Sequence, residues 1–327
     1  MKPTDFSKNL RSFFANYLPN VRNLSGNTIS SYRDAFRLLL IYCQDIRKIK
    51  PEKLCLEHFD EDFIISFLEW LQTNRGCSIS TRNQRLVAIH AFFRYVQVQE
   101  PVYLHLSQHI LQIPCMKHSP SIVKHLTPEQ VKELLATPNS KTESGRRDIT
   151  LLSVLYDTGA RVQELCDLRV RDVRLDKPAM ITLTGKGRKT RSVPILGNTI
   201  GLLKQYLMEK QLSQNGKQDN PLFFNQQFTK LTRSGVSYIL QKYTSKKGIT
   251  PHILRHSKAM HLYQAGVNLI YIRDILGHVD IATTDIYARQ DIESKRRALE
   301  DTYPDLTPTA LPDWNCDDNL LNFLNNL

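Results

Sequence analysis

Four side chains near the end of this 327-residue chain could together act on a phosphate ester: His252, Arg255, His278 and Tyr287. Arginine presents a rigid fork of donors that matches two oxygens of a phosphate. Histidine can donate to the same oxygens or shuttle a proton. Tyrosine carries a hydroxyl able to form a covalent intermediate. Such a set needs neither a carboxylate pair nor a metal triad. Any one of these residues taken alone reads as half-buried packing; the ordered set reads as a site.

The elements that must position them are legible. Thr250 followed by Pro251 is a helix start, a hydroxyl N-cap and then a proline where no amide donor is missed. His252 and Arg255, three apart, share a face of that helix. A second helical pattern runs from about Asn268 to Leu276 and stops at Gly277, a suitable C′ residue, with His278 directly after it. Thr283 and Thr284 can cap a third, short helix that carries Tyr287. Upstream, the apolar run Ile149–Tyr156 ends in Asp157-Thr158-Gly159, and Arg161 and Glu164 share a face of the next helix. Met180–Leu183 and Arg191–Ile195 alternate as strands. The basic, glycine-bearing hairpin tip between them holds Lys186 and Lys189. It is not a phosphate-binding P-loop, since G-x-x-x-x-G-K-[ST] is absent and a strand follows.

Four amphipathic helices are expected between Asp5 and Val98. Ser25 or Asn27 caps the second, Ser80 or Thr81 opens the fourth, and Arg82, Arg85 and Arg94 stand on its polar positions. The stretch from Gln112 to Lys124 reads as a linker. Thr127, Pro128 and Gln130 then form a capping box that opens a second domain. Residues 200–245 read as two helices, with a short strand or turn at Asn220–Phe224. Arg233, Lys242, Lys246 and Lys247 are candidate phosphate contacts. After Tyr303 comes a proline-rich acidic hinge. Leu320, Leu321, Phe323, Leu324 and Leu327 then fall on one face of a short terminal helix, which must dock on something to persist.

The composition, 41% hydrophobic and 23% charged, is that of a globular protein of about two domains. Net charge is +12, carried as +5 over residues 1–120, +13 over 121–297 and −6 over 298–327. A basic body with an acidic tail implies a polyanionic partner for the body, most simply nucleic acid. Six cysteines with no C-x-x-C spacing argue against zinc ribbons and thiol-redox motifs. With no apolar leader or membrane-length run, a cytoplasmic location with no membrane partner is expected.

H-x-L-R-H, then L-G-H, then a tyrosine nine positions later resembles the tyrosine recombinase family of phage integrases and Xer-type recombinases. TGARVQEL resembles the first arginine motif of that family, and NTISSYRDAF with STRNQRLVAIHAFFRYV resembles its core-binding domain. The resemblance implies a fold that is mainly α with a small β-sheet: an N-terminal helical SAM-like core-binding domain plus an α+β tyrosine recombinase catalytic domain. The expected boundaries are 1–112 for the DNA-binding domain, 113–124 for the linker, 125–300 for the catalytic domain and 301–327 for the tail. It also implies Arg161, Lys186, His252, Arg255, His278 and Tyr287 as catalytic residues. Tyr287 is then the nucleophile, Arg161 and Arg255 the phosphate clamp, His278 a donor to the same oxygens, His252 the general base and Lys186 the leaving-group acid. Glu164 and His256 support the site. No cofactor, metal or ATP is required, and the partners are double-stranded DNA recombination sites engaged by a homotetramer on two sites, the tail docking on a neighbouring protomer.

Other classes account for less. A zinc hydrolase could use His252 and His256 with His278, but Arg255 between them would repel a cation. A regulator that only binds DNA explains the charge and not the Tyr, Lys and His set. A type IB topoisomerase shares the chemistry and differs in lacking strand exchange between two sites.

Overall fold

The computed structural model describes residues 3–117, 124–185, 187, 189–214, 216–244, 248–277, 287, 296 and 324–325. Lys186, His278, Thr283, Thr284, Lys246 and Lys247 lie outside these residues, as does the tail apart from Leu324 and Asn325, which are helical and exposed. The chain is mostly helical with one small sheet, and it divides into two compact units, Met1–Ser121 and Ile122–Leu327.

The first unit is built from α1 (Asp5–Ser12), which runs on as a π-helical stretch over Phe13–Val21, then α2 (Gly26–Asp45), α3 (Glu61–Thr73), α4 (Ile79–Gln99) and α5 (Leu104–Gln112). Thr4, Ser25, Asp60 and Ser78 cap α1 to α4, each side-chain oxygen accepting an amide of the first turn. α4 therefore begins two residues earlier than Ser80, and three earlier than Thr81, would have it. The core is aromatic: Phe92 packs edge-to-face on Phe13 and Phe36, and Phe59 does so on Phe63. Asp5 ties the two ends of the unit, accepting from the Leu56 amide and the Tyr103 hydroxyl.

Two expectations need correction here. Arg82 is not a surface charge; it is 7% exposed, packed within the unit. Arg85 is half-buried and donates to the Ser31 carbonyl at 2.9 Å, while Arg94 does stand on the exposed face. α5 was not legible as a helix, yet it supplies Ile110 to the core.

The second unit opens with α6 (Pro128–Ala136), capped by the reciprocal Thr127–Gln130 box. α7 (Glu143–Thr158) is buried along much of its length, as its apolar run dictates, and ends at Gly159 in the left-handed region. α8 (Val162–Asp167) follows at once. β1 (Val173–Arg174), β2 (Met180–Thr184) and β3 (Thr190–Pro194) form one antiparallel sheet in that order, with Ile181 opposite Val193. α9 (Gly197–Glu209) and α10 (Arg233–Lys242) enclose the core with buried Leu222 and Phe223 between them in sequence.

The unit closes with α11 (Pro251–Gln264), capped by Thr250, and α12 (Leu269–Leu276), which ends at left-handed Gly277. α11 is braced from the start of the unit: Ser257 Oγ accepts the Leu126 amide, and His261 bridges the Tyr156 hydroxyl to the Leu126 carbonyl.

Candidate functional site

Two helix ends converge where α7, α11 and α12 meet. Gly159 ends α7 with φ +56, a conformation that favours glycine, and a Cβ there would meet Leu276 at 2.7 Å. Gly277 ends α12 with φ +65, and a Cβ there would press on the Arg191 guanidinium at 2.8 Å. The carbonyls left free at these two helix ends become acceptors for the arginines of the site.

Arg255, only 2% exposed, donates to the Gly159 carbonyl at 2.6 Å and to the Leu276 carbonyl at 2.7 Å. It thereby locks α11 to the ends of both α7 and α12. Burial, with Arg161 and Arg191 nearby, lowers its pKa to about 9, so it is still protonated at neutral pH. Arg161, at the first turn of α8, is 44% exposed and donates to the Gly277 carbonyl at 3.0 Å. Two guanidiniums repelling one another are thus held by carbonyl dipoles, and among the described residues neither spends all its donors. A phosphate would relieve that repulsion.

Glu164 is the counter-charge beneath them. It is 4% exposed and accepts the Arg161 amide at 2.9 Å and its Nη1 at 2.8 Å. Burial alone would raise this carboxyl. Hydrogen bonds from Arg191 and the Arg161 amide outweigh burial and hold it below the ordinary carboxylate range.

Arg191 is the residue that sequence reasoning missed. It lies on β3, 12% exposed, and binds both Glu164 oxygens, at 3.0 and 2.7 Å, and the Ile275 carbonyl at 2.8 Å. One signal for it was present. Arg191 has the same strand parity as the buried Val193 and Ile195, so a charge stood on the apolar side of a strand.

Tyr287 is fully buried among Ala259, Met260, Ile272 and Leu276. Its hydroxyl is 2.7 Å from His256 Nδ1. Burial raises the phenol to about 12, and Arg255 acts in the opposite direction. His252 stands exposed at the start of α11 with its ring edge-to-face on His256, centroids 4.1 Å apart. Burial, then Arg255 and Arg161, lower the His252 pKa; burial, then His252 and Arg255, lower His256 to about 4. Both rings are therefore neutral at pH 7, free to act as acceptors.

The structure thus brings together Arg161, Glu164, His252, Arg255, His256 and Tyr287. The nitrogen it sets against Tyr287 is on His256, where His252 was the expected base. Lys186 and His278 fall outside the described residues, though Gly185, Lys189 and Gly277 flank their positions.

Comparison with known proteins bears on this arrangement. The sequence matches the phage integrase family over residues 124–294 and the phage integrase N-terminal SAM-like domain over 12–100. It is 38% identical to a Sinorhizobium fredii chain assigned as an integrase/recombinase, y4rC, covering 97% of each. It is 35% identical to the tyrosine recombinase XerC of Roseiflexus castenholzii, over 86% of this chain and 88% of that one. Among solved structures, the XerH site-specific recombinase bound to its difH substrate superimposes with a TM-score of 0.65 at 27% identity, over 85% of this chain and 80% of that one.

Proposed function

The chain belongs to the phage integrase family of tyrosine recombinases, enzymes that cut and rejoin DNA at specific sites, and from that premise we propose a mechanism and a set of residues for it. Tyr287 is the nucleophile. Its hydroxyl oxygen attacks the scissile phosphate in line, giving a 3′-phosphotyrosyl ester and a free 5′ oxygen. Arg161 and Arg255 bind the non-bridging oxygens and offset the charge that develops there. His278 donates to the same oxygens, and Lys186 protonates the departing 5′ oxygen. Glu164, itself held by Arg191, fixes Arg161, while the Gly159 and Leu276 carbonyls fix Arg255. Because the phosphotyrosyl ester conserves the energy of the phosphodiester, another strand's 5′ hydroxyl can reseal the backbone with no nucleotide consumed.

The observation that carries this reading is the pairing of two guanidiniums, both anchored by carbonyls and Arg161 also by the Glu164 carboxylate, with a buried phenol whose hydroxyl meets a neutral histidine. That set is built to receive a phosphodiester and a covalent step on it. Residues 1–112 are assigned as the core-binding DNA domain and 125–300 as the catalytic domain. The substrates are double-stranded DNA sites, bound two at a time by four protomers in the cytoplasm. The acidic tail of one protomer docks on the next. The result is integration, excision or transposition of a mobile element, or chromosome resolution. The tetramer is tested by mixing the protein with two site-bearing duplexes of unequal length and sizing the complex by analytical ultracentrifugation. Four protomers with two duplexes, and recombinant-length products, are expected. Complexes that stop at one duplex, with cleavage intact, would leave a topoisomerase.

A further inference from the structure

α5, in the first unit, carries a side-chain pair that no step of the cleavage chemistry uses. The helix buries Ser107 and Ile110 and turns His105 and His109 to solvent. The two histidines stand at i and i+4, so their rings meet on one face. The ring centroids are 4.4 Å apart, and Nε2 of one ring is 3.3 Å from Nε2 of the other. In that contact one Nε2–H donates and the other Nε2 accepts, so the pair holds a single proton between two nitrogens.

The same geometry suits a metal ion. Zinc takes imidazole nitrogens at about 2.0–2.1 Å in a tetrahedral shell, which sets neighbouring ligand nitrogens about 3.3–3.4 Å apart. The Nε2 separation already has that value. The far nitrogen of His109, Nδ1, faces Glu61 Oε2 at 4.0 Å, on the first turn of α3. A carboxylate on that side of a ligating histidine orients the ring and raises its basicity. His109 also lies in the last turn of α5, at the negative end of the helix dipole, where a cation is stabilised. No group of three or more histidine, cysteine or carboxylate ligands exists among the described residues, so water fills the other positions on the metal.

We propose that His105 and His109 form a site for a divalent transition metal of zinc's class, held by their two Nε2 atoms. Imidazole suits Zn²⁺, Cu²⁺ and Ni²⁺; a pair of nitrogens offers little to Mg²⁺ or Ca²⁺, which take oxygen ligands. Two ligands of the four in a structural zinc site correspond to about half its binding free energy, a Kd on the order of 1–100 µM. The metal clips one turn of α5 to the next. A helix of nine residues is marginal by itself, so a clip there has an effect. The site is structural and takes no part in strand cleavage.

The test is hydrogen exchange of the full-length protein at neutral pH, read by mass spectrometry on peptides covering residues 104–112, with zinc chloride as the probe. Zinc that binds the closed helix and not the open one slows exchange by the factor 1 + [Zn]/Kd, so about tenfold slowing is expected at ten times Kd. His105→Ala and His109→Ala remove exposed side chains and should each abolish the slowing, because one imidazole cannot chelate. Magnesium chloride at the same concentration should change nothing. Reading the α5 peptide separates this site from zinc taken elsewhere, as by His252 and His256 at the same spacing. Exchange over 104–112 that stays unchanged up to about 1 mM zinc would overturn the proposal and leave a hydrogen-bonded pair only. Equal slowing in the parent and in either alanine variant would overturn it as well, since the metal would then be held by other residues.

Discussion

Arg191→Ala should damage the fold and the reaction by separable amounts. The guanidinium is nearly buried and makes three hydrogen bonds, two to Glu164 and one to the Ile275 carbonyl. Removing it leaves a buried carboxylate with Arg161 as its remaining cation, and Arg161 is too exposed to compensate fully. Breaking a buried ion pair from one side costs about 3–5 kcal/mol. For a unit of this size each kcal/mol lowers the melting temperature by about 2–4 °C, so a fall of about 10 °C is expected. Because folding holds Glu164 below its ordinary pKa, this stabilisation is present at neutral pH and lost as the pH falls through the depressed value.

The site should suffer as well. Arg161 is positioned through the same carboxylate, and a misplaced phosphate clamp costs about 10²-fold in rate. The assay is differential scanning calorimetry alongside single-turnover cleavage well below the new transition. Adding Glu164→Gln to Arg191→Ala removes the orphaned charge, and the double variant should recover about 1–3 kcal/mol relative to the sum of the two singles. A melting temperature lowered by less than about 3 °C, with additive singles, would refute the claim that the Arg191–Glu164 pair carries this corner of the unit.

Gly277→Ala should reproduce part of that defect without touching a charge. Its Cβ would sit 2.8 Å from Arg191 at a backbone φ of +65, so calorimetry should find a loss of about 1–3 kcal/mol together with slower cleavage. Arg255→Lys keeps the charge but cannot reach the Gly159 and Leu276 carbonyls together, so it should lose both stability and adduct formation, the latter by at least about 10²-fold in a gel assay. The pH profile of kcat/KM follows from the lowered histidines. His256 at about 4, facing His252, Arg255 and Tyr287, stays neutral across the neutral range and keeps its contact with the Tyr287 hydroxyl, so activity should stay level as the pH falls through 6.5 and drop only well below it. An acidic limb at the ordinary histidine value would contradict this.

Local signals carried much of this fold into the sequence. Thr250–Pro251, the Thr127–Gln130 box, and the glycines at 159 and 277 each announce a helix end within a few residues, and each does so in the structure. The β2–β3 hairpin is equally legible, because its strands alternate. What escaped was decided by distant partners. Arg191 finds Glu164 across 27 positions, and His256 finds Tyr287 across 31. No spacing rule links such pairs. Arg82 was misjudged because helical periodicity marks which face a residue takes, and a neighbouring helix can still cover that face. α5 packs on α4 through few apolar residues, with polar and histidine side chains around them, and its pattern was too weak to stand out. β1 spans two residues, too short for any period to register.

The covalent intermediate decides the mechanism. The direct measurement mixes the full-length protein with a nicked suicide duplex carrying the DNA flanking its own gene, in EDTA, and looks for an SDS-resistant adduct. The adduct should form, map by mass spectrometry to Tyr287, and disappear in Tyr287→Phe. Cleavage that persists in Tyr287→Phe, or that appears only when a divalent metal is restored, would contradict the assignment of Tyr287 as the nucleophile.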